Sequence, residues 1–113
     1  EGAGVVEALG EGVYKMAGGL KVGDWAVLSL VAPCNRCQYC RAGRPAICTG
    51  RNATFPKSKV LDAHGKPMLP MTGVGCMAEY VVVSEGTVVK VAQDVPLQKC
   101  CLVSCGVTTG VGA

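Results

Sequence analysis

Four cysteines lie close together in the run CNRCQYCRAGRPAIC, with the spacing C-x2-C-x2-C-x7-C. They are Cys34, Cys37, Cys40 and Cys48. Two residues between cysteines let successive thiolates converge on one ion across a tight turn, and the longer gap brings the fourth from the far side. Zinc prefers four such soft ligands in a tetrahedron, with Zn–S near ~2.3 Å. Four thiolates leave no open position, so the pattern predicts a structural zinc that holds together a lobe at residues 34–48.

Two other interpretations of the cysteine cluster compete with zinc. The run C-x2-C-x2-C also opens a ferredoxin-type iron–sulfur motif, but there the fourth cysteine follows after three residues and precedes proline. Here the fourth cysteine follows after seven residues and precedes Thr49. The second interpretation is that these cysteines bind no metal and are buried in the core. It fits poorly, because the cysteines lie in a polar, arginine-rich loop. Zinc is therefore favoured, while an iron–sulfur electron carrier and a non-catalytic, zinc-stabilised interaction module stay open as alternatives.

Composition limits the size and the partners of the chain. Its 113 residues allow one domain at most, or part of one, and we expect an internal fragment of a longer protein because both ends read as cut. The net charge of +3 is too small to indicate a nucleic-acid partner. The basic residues that follow the first cysteine are interpreted as offsetting the charge of a four-thiolate zinc, since no aromatic residues are interleaved for base stacking. They are Arg36, Arg41, Arg44, Arg51, Lys57, Lys59 and Lys66.

The cysteine usage indicates a reducing compartment. The chain has eight cysteines but no basic n-region of a signal peptide and no run of ~18 apolar residues for a membrane span. Clustered C-x2-C spacings suit thiolate–metal chemistry better than disulfides. The sequence therefore predicts a cytoplasmic protein without a membrane segment.

The chain reads as mainly β. Apolar and β-branched runs between turn residues predict four strands, at Gly4–Leu9, Trp25–Val31, Ala78–Val83 and Val88–Val91. A short helix is expected at Cys37–Ala42, a long loop at Asn52–Thr72, and from Pro96 a short helix, a turn at Ser104–Gly106 and a second helix start. The predicted architecture is a small barrel or partly open sheet with an inserted metal lobe and an α-element at the C-terminus.

Outside the cluster, one cysteine stands out as a candidate ligand or nucleophile. Cys105 lies at a turn before a segment rich in Gly and Thr. Cys76, Cys100 and Cys101 are expected to be small buried hydrophobes. The only histidine, His64, lies in a Lys/Pro/Gly loop, where a solvated side chain is expected.

The cysteine run resembles the structural-zinc lobe of the zinc-dependent medium-chain alcohol dehydrogenases. Other segments resemble motifs of the same family in the same order along the chain. They are EGAGVV from Glu1 (motif G-H-E-x-x-G, begun after its His), KVGD from Lys21 (K-x-G-D-x-V), AEY from Ala78 (F-[AS]-E-Y) and LVSCGVTTG from Leu102 (L-L-x-C-G-x-x-T-G). The resemblance covers nearly the whole chain, although Cys76-Met77, the Cys100-Cys101 pair and the loop at 52–72 depart from the common pattern.

The resemblance implies an incomplete GroES-like distorted β-barrel at residues 1–102, and at 103–113 the start of the link into a cofactor-binding Rossmann domain that the chain lacks. It implies a parent enzyme that interconverts a small alcohol and an aldehyde by zinc-assisted hydride transfer to or from NAD. It also implies that the parent is a homo-oligomer. The isolated fragment is expected to be inactive.

The resemblance also implies roles for three residues. Cys105 matches one of three protein ligands of a catalytic zinc, whose other two ligands would lie before Glu1. Glu1 matches a carboxylate beside that zinc, and Thr109 matches a residue near the nicotinamide. A catalytic zinc needs three protein ligands and an open position, where it acts as a Lewis acid on the alcohol oxygen.

Overall fold

A computed structural model describes residues 1–13, 19–30, 32–50 and 60–113. The chain divides into two compact units. The first comprises Glu1–Leu30 and Val88–Ala113, and the second comprises Val31–Thr87. Each unit is described by itself below.

The first unit is built on a three-stranded antiparallel sheet. Its strands are β1 at Ala3–Val5, β2 at Trp25–Leu28 and β3 at Val88–Lys90, in the order β1-β2-β3. The sequence WAVL of β2 forms the central strand because its apolar residues can be covered on both faces, and Ala26 and Val27 are buried. These three strands confirm the predicted positions, with shorter bounds than expected.

A turn between β1 and β2 is fixed by hydrogen bonds and an ion pair. The Asp24 carboxylate accepts a bond of 2.8 Å from the backbone N–H of Lys21 and lies 2.8 Å from the Lys90 ammonium of β3. Gly23 in this turn has a φ of 88°, a backbone conformation that suits glycine. Asp24 thereby ties this turn to β3 at the far edge of the sheet.

Two short helices follow β3 in the first unit, and they are numbered α2 and α3 because α1, at Gln38–Arg41, lies earlier in the chain, in the second unit. Helix α2 covers Leu97–Cys100 and continues into a 3-10 turn at Cys101–Ser104, and α3 covers Gly106–Gly112. Pro96 immediately precedes α2, and its carbonyl accepts bonds from the N–H groups of Lys99 and Cys100. The predicted sequence of helix, turn and second helix start is confirmed.

The second unit contains little regular structure. A short helix, here called α1, covers Gln38–Arg41, and 3-10 turns lie at Pro45–Ile47, Met71–Gly73 and Glu85–Thr87. The helix confirms the prediction for residues 37–42. In the described part of the predicted loop at 52–72, one isolated β-bridge pairs Leu61 with Pro67; residues 52–59 lie outside the described residues.

The predicted strand at Ala78–Val83 is wrong. The backbone there consists of bends and irregular segments, and within residues 1–13, 19–30, 32–50 and 60–113 no strand pairs with it. Its β-branched residues favour an extended backbone, but a strand also needs a neighbour to accept its hydrogen bonds. Tyr80 and Val82 are exposed instead.

The fold class predicted from the sequence is confirmed as mainly β. The described strands form an open sheet, with an inserted cysteine lobe and short helices near the C-terminus. Within the described residues, no helix has the length and apolar character needed to cross a membrane.

Candidate metal centre

The four clustered cysteines converge on one point. The sulfurs of Cys34, Cys37, Cys40 and Cys48 all lie within 4.8 Å of one another, and the Cys37 and Cys48 sulfurs are 3.8 Å apart. In a tetrahedron with metal–sulfur bonds near ~2.3 Å, the sulfurs are about 3.8 Å apart. The donor set and its spacing therefore fit one tetrahedral ion such as zinc. A multi-iron cluster distributes its cysteines over separate irons, so it needs sulfurs further apart than these.

Local backbone structure brings the thiols together. Asn35, inside the first C-x2-C turn, has a φ of 55°, a left-handed conformation that Asn tolerates and that makes the turn tight. Cys37 is extended and immediately precedes α1, which carries Cys40. The 3-10 turn Pro45–Ile47 begins with a proline, and it returns the chain so that Cys48 faces the others.

Backbone amides point at the sulfurs and favour their thiolate forms. The N–H of Cys37 donates to the Cys34 sulfur, and the N–H of Cys34 donates to the Cys48 sulfur, each at 3.3 Å. Hydrogen bonds from the backbone N–H groups of Arg36 and Cys37 lower the pKa of the Cys34 thiol. The backbone N–H of Cys40 is the main cause that lowers the pKa of Cys37 to about 5. The lobe thus stabilises negative sulfur before any cation binds.

Cys40 behaves in the opposite way. Its burial, and after that its hydrogen bonds with the Cys37 and Cys48 sulfurs, raise its pKa to about 12. Four negative charges so close together repel one another, so at least one thiol keeps its proton when no cation is present. A divalent cation removes that repulsion, so the cluster gains its full ligand set only with a metal.

The surroundings of the cluster are electropositive. Residues 32–50 contain no Asp or Glu, and their three arginines, Arg36, Arg41 and Arg44, are all exposed. This placement agrees with the prediction that basic side chains offset the charge of a thiolate site. Arg51, Lys57 and Lys59 lie outside the described residues.

Sequence reasoning missed one residue of this centre. Gly50 lies two positions after Cys48, and a Cβ atom built there would be 2.6 Å from the Cys34 sulfur. A glycine just beyond the last cysteine was the available signal, but only the folded lobe shows which thiol it faces.

The first unit brings together two other predicted site residues. The Glu1 carboxylate accepts a hydrogen bond of 2.8 Å from the backbone N–H of Gly106, the residue after Cys105. The Cys105 side chain is exposed, and its carbonyl accepts a bond of 2.8 Å from the N–H of Thr109, one helical turn later. Glu1 and Cys105 therefore lie at the N-terminal end of α3, and Thr109 lies one turn further along that helix.

The remaining predictions for single residues have mixed outcomes. Cys100 is buried as expected, whereas Cys76 and Cys101 are only half-buried. His64 is exposed in a tight turn, where its N–H donates to the Asp62 carboxylate at 2.8 Å, as expected for a solvated loop residue. All eight cysteines lie in the described residues, and none of them forms a disulfide there.

Comparison with known proteins decides the family. Residues 1–93 match the alcohol dehydrogenase GroES-like domain. The chain belongs to this family. The resemblance noted for the cysteine run and the flanking motifs is therefore confirmed.

Individual relatives agree with this assignment. The chain is 38% identical to the S-(hydroxymethyl)glutathione dehydrogenase of Aspergillus oryzae and 40% identical to that of Komagataella pastoris, in each case over 100% of this chain and 30% of the relative. A solved alcohol dehydrogenase zinc-binding domain protein from Burkholderia ambifaria superposes with a TM-score of 0.80 at 32% identity, covering 98% of this chain and 31% of that one. The chain thus spans about 30% of the length of the curated relatives it matches.

Proposed function

We propose that this chain is part of a zinc-dependent alcohol dehydrogenase and that Cys34, Cys37, Cys40 and Cys48 hold its structural zinc. The observation that carries the proposal is the convergence of four thiols within 4.8 Å in a member of the alcohol dehydrogenase GroES-like family. A site closed by four thiolates has no position for substrate, so its role is to stabilise the lobe.

The chemistry of the whole enzyme is proposed for the other unit. Cys105 would supply one ligand to a catalytic zinc, which acts as a Lewis acid on the alcohol oxygen. The Glu1 carboxylate holds the peptide that follows Cys105 through its bond to the Gly106 N–H. Thr109, one turn along α3, would lie on the nicotinamide side. We infer residues 1–102 as the partial catalytic domain and 103–113 as the start of the link to a cofactor domain.

The finer parts of the proposal concern substrate, cofactor and setting. The reaction would interconvert a small alcohol and an aldehyde with NAD. The S-(hydroxymethyl)glutathione dehydrogenases suggest S-(hydroxymethyl)glutathione as a first substrate to test. A solved benzyl alcohol dehydrogenase from Acinetobacter calcoaceticus, 31% identical with a TM-score of 0.71, suggests benzyl alcohol as a second. Eight cysteines without a disulfide among the described residues suit a reducing compartment, so we propose the cytoplasm. A homo-oligomeric parent is also proposed.

Metal analysis of the purified 113-residue chain tests the structural site. We expect about one zinc per chain and no bound iron. A chain that is free of zinc after zinc-supplemented expression, or that is brown and contains iron, would overturn the metal assignment.

A dehydrogenase assay tests whether activity requires more of the enzyme than these 113 residues. The 113-residue chain, supplied with NAD and either test alcohol, is expected to show no turnover, because Cys105 is the single ligand of the proposed catalytic zinc among these residues and such a zinc needs three. A longer protein that contains this chain together with the other two ligands and a cofactor domain is expected to reduce NAD. Turnover by the bare chain, or an inactive longer protein with full zinc content, would contradict the proposal.

A further inference from the structure

Gly50 lies so close to the cysteine cluster that any side chain at this position would displace a neighbouring atom. A Cβ atom at this position would be 2.6 Å from the Cys34 sulfur, 3.0 Å from the Cys34 Cβ and 3.9 Å from the Cys48 sulfur. The first distance is shorter than any ordinary van der Waals contact, so a side chain at position 50 would force a neighbouring atom to move.

A side chain at position 50 is disfavoured by lack of space and not by the backbone conformation. Gly50 is not among the glycines with positive φ, so alanine can adopt its backbone conformation. Gly43 in the same lobe is the reverse case, with a φ of 72° and nothing within 4 Å of an added Cβ. Gly50 is therefore required for steric reasons, whereas Gly43 is required for its backbone conformation.

The atom that would move is the Cys34 thiol. A free cysteine side chain can rotate about one bond and carry its sulfur away from the added methyl group. The 3.0 Å approach of the Cys34 Cβ is then left, and a shift of a few tenths of an ångström relieves it. A thiolate that binds an ion together with three others cannot rotate away. The cost of a side chain at position 50 therefore falls on the metal-bound state.

We propose that Gly50 is a positioning residue that decides whether the centre is a closed four-thiolate site or an open three-thiolate site. This inference rests on the proposed metal site. With glycine, Cys34 joins the other three thiolates. With a larger residue, Cys34 turns away and leaves a coordination position that water or an added ligand can fill.

The hydrogen bonds around Cys34 strengthen the effect. Its sulfur accepts the N–H of Cys37, and its own N–H donates to the Cys48 sulfur, each at 3.3 Å. A displaced Cys34 thiol loses the first bond and perturbs the second. Disturbing groups that orient a metal ligand typically lowers metal affinity about 10- to 100-fold, and we expect a loss of that order for Gly50→Ala.

Cobalt(II) bound in place of zinc allows the number of bound sulfurs to be measured by absorption spectroscopy. The ligand-field and thiolate charge-transfer bands of the bound ion depend on that number. We expect a four-thiolate spectrum for the native chain and for Gly43→Ala, and a weaker, shifted three-thiolate spectrum for Gly50→Ala. Added 2-mercaptoethanol should restore the four-thiolate spectrum of Gly50→Ala and leave the native spectrum unchanged. A four-thiolate spectrum for Gly50→Ala with native affinity would overturn the inference.

A double-mutant cycle separates the clash from general misfolding. If Gly50→Ala acts through the Cys34 sulfur, then Cys34→Ala and Cys34→Ala/Gly50→Ala should bind zinc with nearly equal affinity. The sulfur is absent from both variants, and only the milder 3.0 Å contact with the Cβ at position 34 remains. A double variant that binds much more weakly than Cys34→Ala, or that fails to fold, would contradict the inference. The native chain reports on the proposed function separately: if it binds no cobalt or zinc, the metal site itself is wrong.

Discussion

The Glu1 carboxylate accepts the backbone N–H of Gly106 at 2.8 Å, across 105 positions of sequence. This bond fixes the first residue of α3 and, with it, the peptide that follows Cys105. Two residues proposed for the active site are therefore held at one place by a single contact between distant parts of the first unit.

Replacing Glu1 with alanine should loosen the start of α3. The lost charge-assisted bond is exposed, so we expect a cost of about 1 kcal/mol or a little more. Hydrogen exchange of the Gly106 amide, measured by NMR, should accelerate about tenfold if the opening is local. Glu1→Gln keeps an acceptor and should fall between the native chain and Glu1→Ala. The exposed Glu7, changed to alanine, serves as the control, and equal Gly106 exchange in the Glu1→Ala and Glu7→Ala variants would contradict the prediction.

The Asp24–Lys90 ion pair predicts a pH-dependent contribution to stability. Hydrogen bonds from the Lys90 ammonium and then from the Lys21 N–H lower the pKa of Asp24 below its ordinary value of 3.8. Because folding lowers this pKa, the contribution is complete above the unfolded-state value and is lost as the pH falls through the folded-state value. The free energy of unfolding of the native chain should therefore exceed that of Lys90→Met above a pH of about 3.8. This difference should shrink as the pH falls below that value.

Urea unfolding followed by the fluorescence of Trp25, the single tryptophan, measures this effect. Trp25 lies in β2, beside the strand that carries Lys90, so it reports on the unit concerned. Working in a chelator keeps metal release out of the comparison. The matched control is Lys99→Met, because Lys99 is an exposed lysine of α2. This substitution should leave the free energy of unfolding nearly unchanged both at neutral pH and below the ordinary pKa of Asp24. A stability gap between Lys90→Met and the native chain that stays constant with pH would refute the assignment.

Local sequence signals predicted the parts of this chain that local physics determines. The C-x2-C-x2-C-x7-C spacing brings four thiols together because each step is a short turn or a single helical turn, as around Asn35 and α1. The helices after Pro96 follow in the same way from a proline start and helical spacing of apolar residues.

Features that depend on distant neighbours were not predictable. The segment Ala78–Val83 has strong β propensity, but propensity supplies no pairing partner, and the predicted strand is wrong. The clash that a side chain at Gly50 would cause, and the bond from Gly106 to Glu1, depend on how separate segments meet. A sequence shows a glycine or a glutamate, but only the fold shows which atom it faces.

Metal removal should loosen the cysteine lobe selectively. The N–H groups of Cys34 and Cys37 donate to sulfurs that a metal would hold in place, so a chelator should accelerate their exchange by at least about tenfold. The N–H groups of Val6 and Leu28 donate to backbone carbonyls at the sheet and provide the internal reference. Measured by NMR before and after chelation, unchanged exchange at Cys34 and Cys37 would argue against a metal that stabilises the lobe.

Cys48 should contribute strongly to metal affinity, whereas Cys76 should not. Cys48 is the most buried of the four clustered thiols, at 9% exposure, and its sulfur accepts the Cys34 N–H. Structural zinc sites bind with about 10 to 16 kcal/mol, so one of four thiolates accounts for roughly 3 kcal/mol, or about 100-fold in affinity. Competition with a chromophoric chelator should show this loss for Cys48→Ala and native affinity for Cys76→Ala, a half-buried cysteine of the same unit that is not part of the cluster. Equal affinity of the two variants would mean that the zinc is held elsewhere, because removing a thiolate from a closed four-thiolate site leaves the ion one ligand short.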